Sequence, residues 1–86
     1  MILKRYWIKK REMEVINHTF MSTRGGCIGV VLANNEYGQM AYISVVGGLS
    51  EEDDIQKVKD WGSKVSFEIA KGFFPGYIDE EKYRSI

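Results

Sequence analysis

Apolar positions between residues 26 and 46 fall on both sides of a strand instead of alternating with polar ones. The apolar stretch Gly26–Ala33 is followed by the turn sequence Asn34–Gly38 and by a second apolar stretch, Gln39–Val46. Asn and Gly accept the backbone angles of tight turns, and the flanking residues are mostly the β-branched and aromatic types that strands prefer. The pattern predicts a β-hairpin that is apolar above and below.

Residues 51–71 have the period of a helix. Ser50 is a typical N-cap, and the acidic residues 51–54 would lie in the first turn, where the helix dipole favours negative charge. Lys71 and Gly72 form a typical helix end. The apolar stripe has spacings of three and four and consists of Ile55, Val58, Gly62, Val65 and Ile69. Gly62 would lie in mid-helix, at a cost of about 1 kcal/mol relative to Ala, which indicates close approach of helix to sheet.

The first 24 residues have a weaker pattern. Residues 13–22 alternate in polarity, which favours a strand, and residues 2–9 fit a further strand. Residues 3–20 also fit a loose helical period, so the sequence leaves residues 2–22 open between strand and helix. We expect strands. The prediction is therefore a single α+β domain over residues 1–86, with an antiparallel sheet of three to four strands. One long C-terminal helix packs on one face, in β-β-β-α order.

The apolar hairpin faces raise the question of what covers the second one. If the hairpin closes around Glu36, one predicted face consists of Ile28, Val30, Leu32, Met40, Tyr42, Ser44 and Val46. A slip of one residue would regroup the pairs but leave both faces apolar. Leaving such side chains in water would forgo roughly 1.5–3 kcal/mol each, so we expect a cover. The N-terminal segment, a second copy of the chain or another protein could supply it.

Charge and composition narrow the class of protein. The chain has 86 residues, one cysteine and no net charge, so an internal disulfide is excluded. Residues 1–48 carry six basic and three acidic side chains, whereas residues 49–86 carry six basic and nine acidic ones. This polarity favours self-association or an oriented partner over general polyanion binding. No apolar run is long enough to span a membrane and no secretory signal is evident, so we expect a cytoplasmic protein without a membrane partner.

Residues that could carry chemistry are few. His18 and Cys27 are the single histidine and the single cysteine, and one such pair is weak support for a nucleophile system. His18 has no metal-ligand spacing around it, and Gly25–Gly26 is typical of a turn instead of a phosphate loop. We therefore expect no catalytic residue, no metal site and no cofactor.

The interpretation that follows is a small, non-enzymatic protein-interaction module that acts by stoichiometric binding. It would form a homodimer or bind another protein through the apolar sheet face. Small accessory, inhibitory or regulatory proteins, many of them encoded by phages, have this profile. The predicted partner-binding residues are Val30, Leu32, Met40 and Tyr42 on the face, with Trp7 and Phe74 at the ends.

The alternative is a nucleic-acid-binding module. Residues 4–11 interleave basic and aromatic side chains, which can follow phosphates while rings stack on bases. The same run is also typical of an edge strand whose charges prevent aggregation, or of a segment that docks on an acidic partner. The residues predicted for this alternative are Lys4, Arg5, Tyr6, Lys9, Lys10, Arg11 and Arg24.

Overall fold

The computed structural model describes residues 11–48 and 50–84, and its elements form one antiparallel sheet with two short helices. The elements, in chain order, are β1 (Glu14–Thr23), β2 (Gly26–Asn35), β3 (Gly38–Val46), α1 (Glu51–Trp61), β4 (Ser63–Val65) and α2 (Phe67–Phe73). The four strands lie in the order β1-β2-β3-β4, so the predicted α+β class and antiparallel sheet are confirmed. The strand predicted over residues 2–9 lies outside the described residues.

The β2–β3 turn sets a register that differs by one residue from the predicted one. Glu36 and Tyr37 form a two-residue loop, and Asn35 pairs with Gly38. The Asn35 side-chain oxygen accepts hydrogen bonds from the amides of Tyr37 (2.8 Å) and Gly38 (3.1 Å), which holds this tighter closure. Cys27 therefore pairs with Val46 instead of Val45, and closure around Glu36 was wrong.

The single helix predicted over residues 51–71 is also wrong. The N-cap was placed correctly, since the Ser50 side chain accepts a hydrogen bond from the Asp53 amide. However, α1 ends at Gly62, whose amide donates to the Val58 carbonyl at 2.8 Å. The chain then forms β4 beside β3 and starts α2 after Ser66, whose side chain caps the new helix.

The observed register divides the sheet into two apolar faces. We call the side that packs on helix α1 the α1 face; its β2 and β3 residues are Cys27, Gly29, Val31, Ala33, Met40, Tyr42, Ser44 and Val46. A Cβ atom at Gly29 would lie 3.1 Å from Val58 Cγ2, which shows how closely α1 approaches there. The opposite side, the C-terminal face, consists of Ile28, Val30, Leu32, Gln39, Ala41, Ile43 and Val45.

The chain's own C-terminal part covers much of the C-terminal face. The Gln39 side chain donates to the Tyr77 carbonyl (3.1 Å) and accepts from the Asp79 amide (2.9 Å), which places residues 77–79 over this face. Ala70, Phe74 and Tyr83 belong to the same buried cluster as the sheet residues. The segment predicted as one long helix is divided at Gly62, and its second part forms β4 and α2. Ala70 of α2 is therefore able to contribute to this cover.

Candidate functional site

The predicted partner-binding residues do not form one surface. Val30 and Leu32 lie on the C-terminal face with no exposed area, whereas Met40 and Tyr42 lie on the α1 face. Phe74 is buried in the same core, and Trp7 lies outside the described residues. The placement of these residues on one face depended on the predicted register, which differs from the observed one. Their burial removes the reason for expecting them to contact a partner directly.

Part of the C-terminal face remains exposed at the end opposite the β2–β3 turn. Met21 pairs with Ile28 and Ile28 pairs with Val45, so these three side chains form a row across β1, β2 and β3. We call them the apolar row. Val45 is 60% exposed, while Met21 and Ile28 are half-buried. Sequence reasoning missed Val45 because the assumed register assigned it to the face beneath the helix.

Arg11 connects the residues that lead into β1 to the end of α1. Its guanidinium donates to the carbonyls of Lys59 (3.0 Å) and Gly62 (3.1 Å), where the helix dipole favours positive charge. It also lies 4.1 Å from the centre of the Tyr42 ring, a cation–π arrangement. In return, the Lys59 ammonium donates to the Arg11 carbonyl at 2.5 Å. We call this reciprocal contact the Arg11 clasp.

Asp60 balances part of the positive charge in the clasp. Lys59 is 2% exposed, and its ammonium lies 3.0 Å from Asp60 Oδ1, in ion-pair range but without the direction of a hydrogen bond. The Gln56 side chain donates to Asp60 Oδ2 at 2.8 Å. Burial acts to raise the pKa of Asp60, but the hydrogen bonds and the Lys59 charge outweigh it and hold the pKa below its ordinary 3.8. Asp60 is therefore charged at neutral pH, and the clasp holds Arg11 against the end of α1.

The residues predicted for nucleic-acid binding are divided by the structure. Arg11 is engaged in the clasp and half-buried, so its charge is directed inward. Arg24 lies exposed in the β1–β2 turn. Lys4, Arg5, Tyr6, Lys9 and Lys10 lie outside the described residues. Within the described part of the chain, Arg24 is therefore the one residue of this predicted set that is exposed.

His18 and Cys27 are not brought together. His18 lies opposite Val31, four positions along β2 from Cys27, which separates them by about 13 Å at the usual rise per residue. The His18 imidazole instead lies 3.3 Å from the Glu51 carboxylate on α1, and Cys27 pairs with Ser22 and Val46 in the sheet. Within residues 11–48 and 50–84, no three His, Cys, Asp or Glu side chains are arranged to hold a metal ion.

An open groove lies beside the β2–β3 turn. It has a volume of about 800 Å³ and is lined by Glu12, Met13, Glu14, Asn34, Asn35, Glu36 and Tyr37. The Tyr37 ring is 71% exposed, and the carboxylates give the groove a negative potential. Sequence reasoning missed this groove because its two walls come together only through the pairing of β1 with β2.

Comparison with known proteins adds no family or relative. The chain matches no protein-family model, and the searches of curated proteins and of solved structures gave no match. None of the helices in the described ranges is long and apolar enough to cross a bilayer.

Proposed function

We propose that the protein is a small, non-enzymatic interaction module that associates with a second copy of itself through the apolar row. The observation that carries this proposal is the exposure of Val45, which continues into Ile28 and Met21 across three strands. A two-fold arrangement would place the same row of both copies in contact and remove it from water. The non-enzymatic part is supported by the separation of His18 from Cys27.

The apolar row is a better candidate than the rest of the C-terminal face because it is reachable without rearrangement. Full burial of an exposed apolar side chain contributes about 1.5–3 kcal/mol. Val45 would gain most of the benefit in each copy, and the half-buried Met21 and Ile28 a smaller part, so contact between the two rows would favour association. The opposite electrostatic balance of residues 1–48 and 49–86 is a second supporting observation, because it favours an oriented arrangement of two copies.

The test is a charge placed in the apolar row. We expect Val45→Lys to fold as the wild type does, because the side chain is 60% exposed, and to weaken the dimer at least tenfold in dissociation constant. Sedimentation velocity across a concentration series measures this. Tyr37→Lys is the matched control, since it also charges an exposed apolar residue but lies in the β2–β3 turn. A wild type that stays monomeric at high concentration, or an equal effect of both variants, would overturn the proposal.

The nucleic-acid alternative makes a different prediction. Binding through phosphate contacts would weaken steeply as salt is raised, and Arg24→Gln would reduce that salt dependence. An absence of binding to single-stranded or double-stranded nucleic acid at low salt would remove this alternative.

A further inference from the structure

Residues 77–84 run along the start of β3 and are attached to it largely through Gln39. The Gln39 amide donates to the Lys82 carbonyl at 2.9 Å, and the Arg84 amide donates to the Gln39 carbonyl at 2.8 Å. These bonds make a parallel bridge between Gln39 and Tyr83, in a sheet that is otherwise antiparallel. The Gln39 side chain adds its two bonds to Tyr77 and Asp79. We call residues 77–84 the C-terminal strap.

The Tyr83 hydroxyl is the second attachment. It accepts a hydrogen bond from the Ala41 amide (3.1 Å) and donates one to the Val65 carbonyl (2.5 Å). Ala41 and Val65 are opposite each other in the β3–β4 pair, so the hydroxyl bridges the end of that ladder. Tyr83 is 7% exposed, and its ring packs edge-on against Phe67. Loss of this hydroxyl would leave two buried backbone groups without their partner.

Among the described residues, the strap has few other buried contacts. Tyr77 and residues 79–82 are exposed, Ile78 is half-buried, and the remaining backbone bonds of the strap, apart from one from Tyr77 to Phe74, close the turn from Asp79 to Tyr83. A segment with few buried contacts opens at a lower free energy than the core of its domain. The strands β2 and β3 are different, because most of their central residues are buried.

We propose that the C-terminal strap opens and closes as a unit while β1, β2 and β3 remain paired, with the Tyr83 hydroxyl as its latch. Opening frees the Gln39 end of β3 and uncovers the C-terminal face next to Ala41. That uncovered area lies on the same face as the apolar row, so the strap controls how much apolar surface a second copy can contact. This last consequence rests on the proposed function, whereas the opening itself does not.

The opening is measured by amide hydrogen exchange on the full chain, followed by NMR. In the wild type, we expect the amides of Gln39, Asp79, Tyr83 and Arg84 to share one opening free energy. We expect them to exchange at least tenfold faster than the β2 amides. Tyr83→Phe should accelerate these four amides at least tenfold further and leave the β2 amides unchanged. Tyr77→Phe is the matched control, because it removes the hydroxyl of an exposed ring in the same strap.

Three results would overturn the strap proposal. Wild-type strap amides as slow as those of β2 would show that the strap does not open separately, and this measurement needs no variant. Acceleration of the Ala41 amide alone in Tyr83→Phe would show that the hydroxyl is only a local partner. Equal acceleration of every strand would show general loss of stability. The same exchange experiment on Val45→Lys, at a concentration where both proteins are monomeric, separates this proposal from self-association, because the strap should open equally there.

Discussion

At Gly62, an added methyl group would meet the backbone of two elements at once. A Cβ atom there would lie 2.5 Å from the Val58 carbonyl oxygen and 3.0 Å from that of Ile43. Backbone atoms cannot move away from the added methyl group as the end of a flexible side chain can. The glycine therefore allows α1 to end against β3, which is the close approach that the sequence indicated, although at a helix end instead of a helix centre.

Gly62→Ala and Gly72→Ala form a matched pair of substitutions. We expect Gly62→Ala to lower the free energy of unfolding by about 1–3 kcal/mol, as overpacking of a close contact does. Gly72 lies in α2 with nothing within 4 Å of an added Cβ, so Gly72→Ala should raise the free energy of unfolding by about 0.4–1 kcal/mol. Urea unfolding midpoints measure both. Equal effects of the two substitutions would contradict the close contact at Gly62.

At the scale of elements, the Arg11 clasp joins the end of α1 to the segment that leads into β1. Asp60 contributes stability that depends on pH, because its folded pKa lies below the ordinary 3.8. That contribution is fully present above about pH 4 and is lost as the pH falls through the lower folded value. Acid conditions that protonate Asp60 should therefore weaken this junction.

Asp60→Asn tests the clasp. The variant keeps an oxygen that can accept from Gln56 but loses the charge beside Lys59. We expect a loss of about 1–3 kcal/mol at pH 7 and a flatter dependence of stability on pH below 4. Glu52→Gln, in the exposed first turn of α1, is the control. Chemical unfolding between pH 2 and 7 measures both, and parallel curves for Asp60→Asn and the wild type would contradict the role of Asp60.

The sequence predicted elements well where local chemistry determines them. The hairpin turn, the Ser50 cap and the alternation of residues 13–22 identified β1, β2, β3 and the start of α1. The break at Gly62 was missed because Val65 and Ile69 continue the helical spacing of Ile55 and Val58. What ends α1 is contact with β3, and periodicity within one segment does not record contacts made between segments.

The candidate site was less predictable than the fold. Its residues depended on register, and a two-residue loop in place of a three-residue one moved Met40 and Tyr42 to the opposite face from Val30 and Leu32. The sequence did predict that both faces are apolar and that something must cover the second. It could not assign the cover to residues 77–84, because the strap is held mainly by backbone bonds and by one tyrosine hydroxyl.

At the scale of the whole molecule, each face of the sheet contains a buried phenol. Tyr42 lies beneath Arg11 on the α1 face, and Tyr83 bridges Ala41 and Val65 beside the other face. Burial raises the pKa of both hydroxyls above 10.0, despite nearby arginines at Tyr42 and the Ala41 amide at Tyr83. The folded state therefore favours both neutral phenols.

Stability should consequently fall in alkali. The contribution of the two phenols to the free energy of unfolding is fully present below about pH 10, where the same phenols are also neutral in the unfolded chain. It is lost as the pH rises through their higher pKa values in the folded state. We expect Tyr42→Phe and Tyr83→Phe each to flatten this alkaline decline, whereas Tyr37→Phe in the exposed turn leaves it unchanged. Circular dichroism during unfolding at pH 8–12 measures the effect. An alkaline decline identical in all three variants would contradict it.

The position of Tyr83 in the chain also affects how the molecule is made. The ribosome completes β3 with Val46, yet the residue that bridges β3 to β4 follows 37 positions later, since 83 − 46 = 37. At a synthesis rate of about 5–20 residues per second, that delay is roughly 2–7 s. Until Tyr83 has been added, the C-terminal face of the hairpin lacks the part of its cover that this residue supplies.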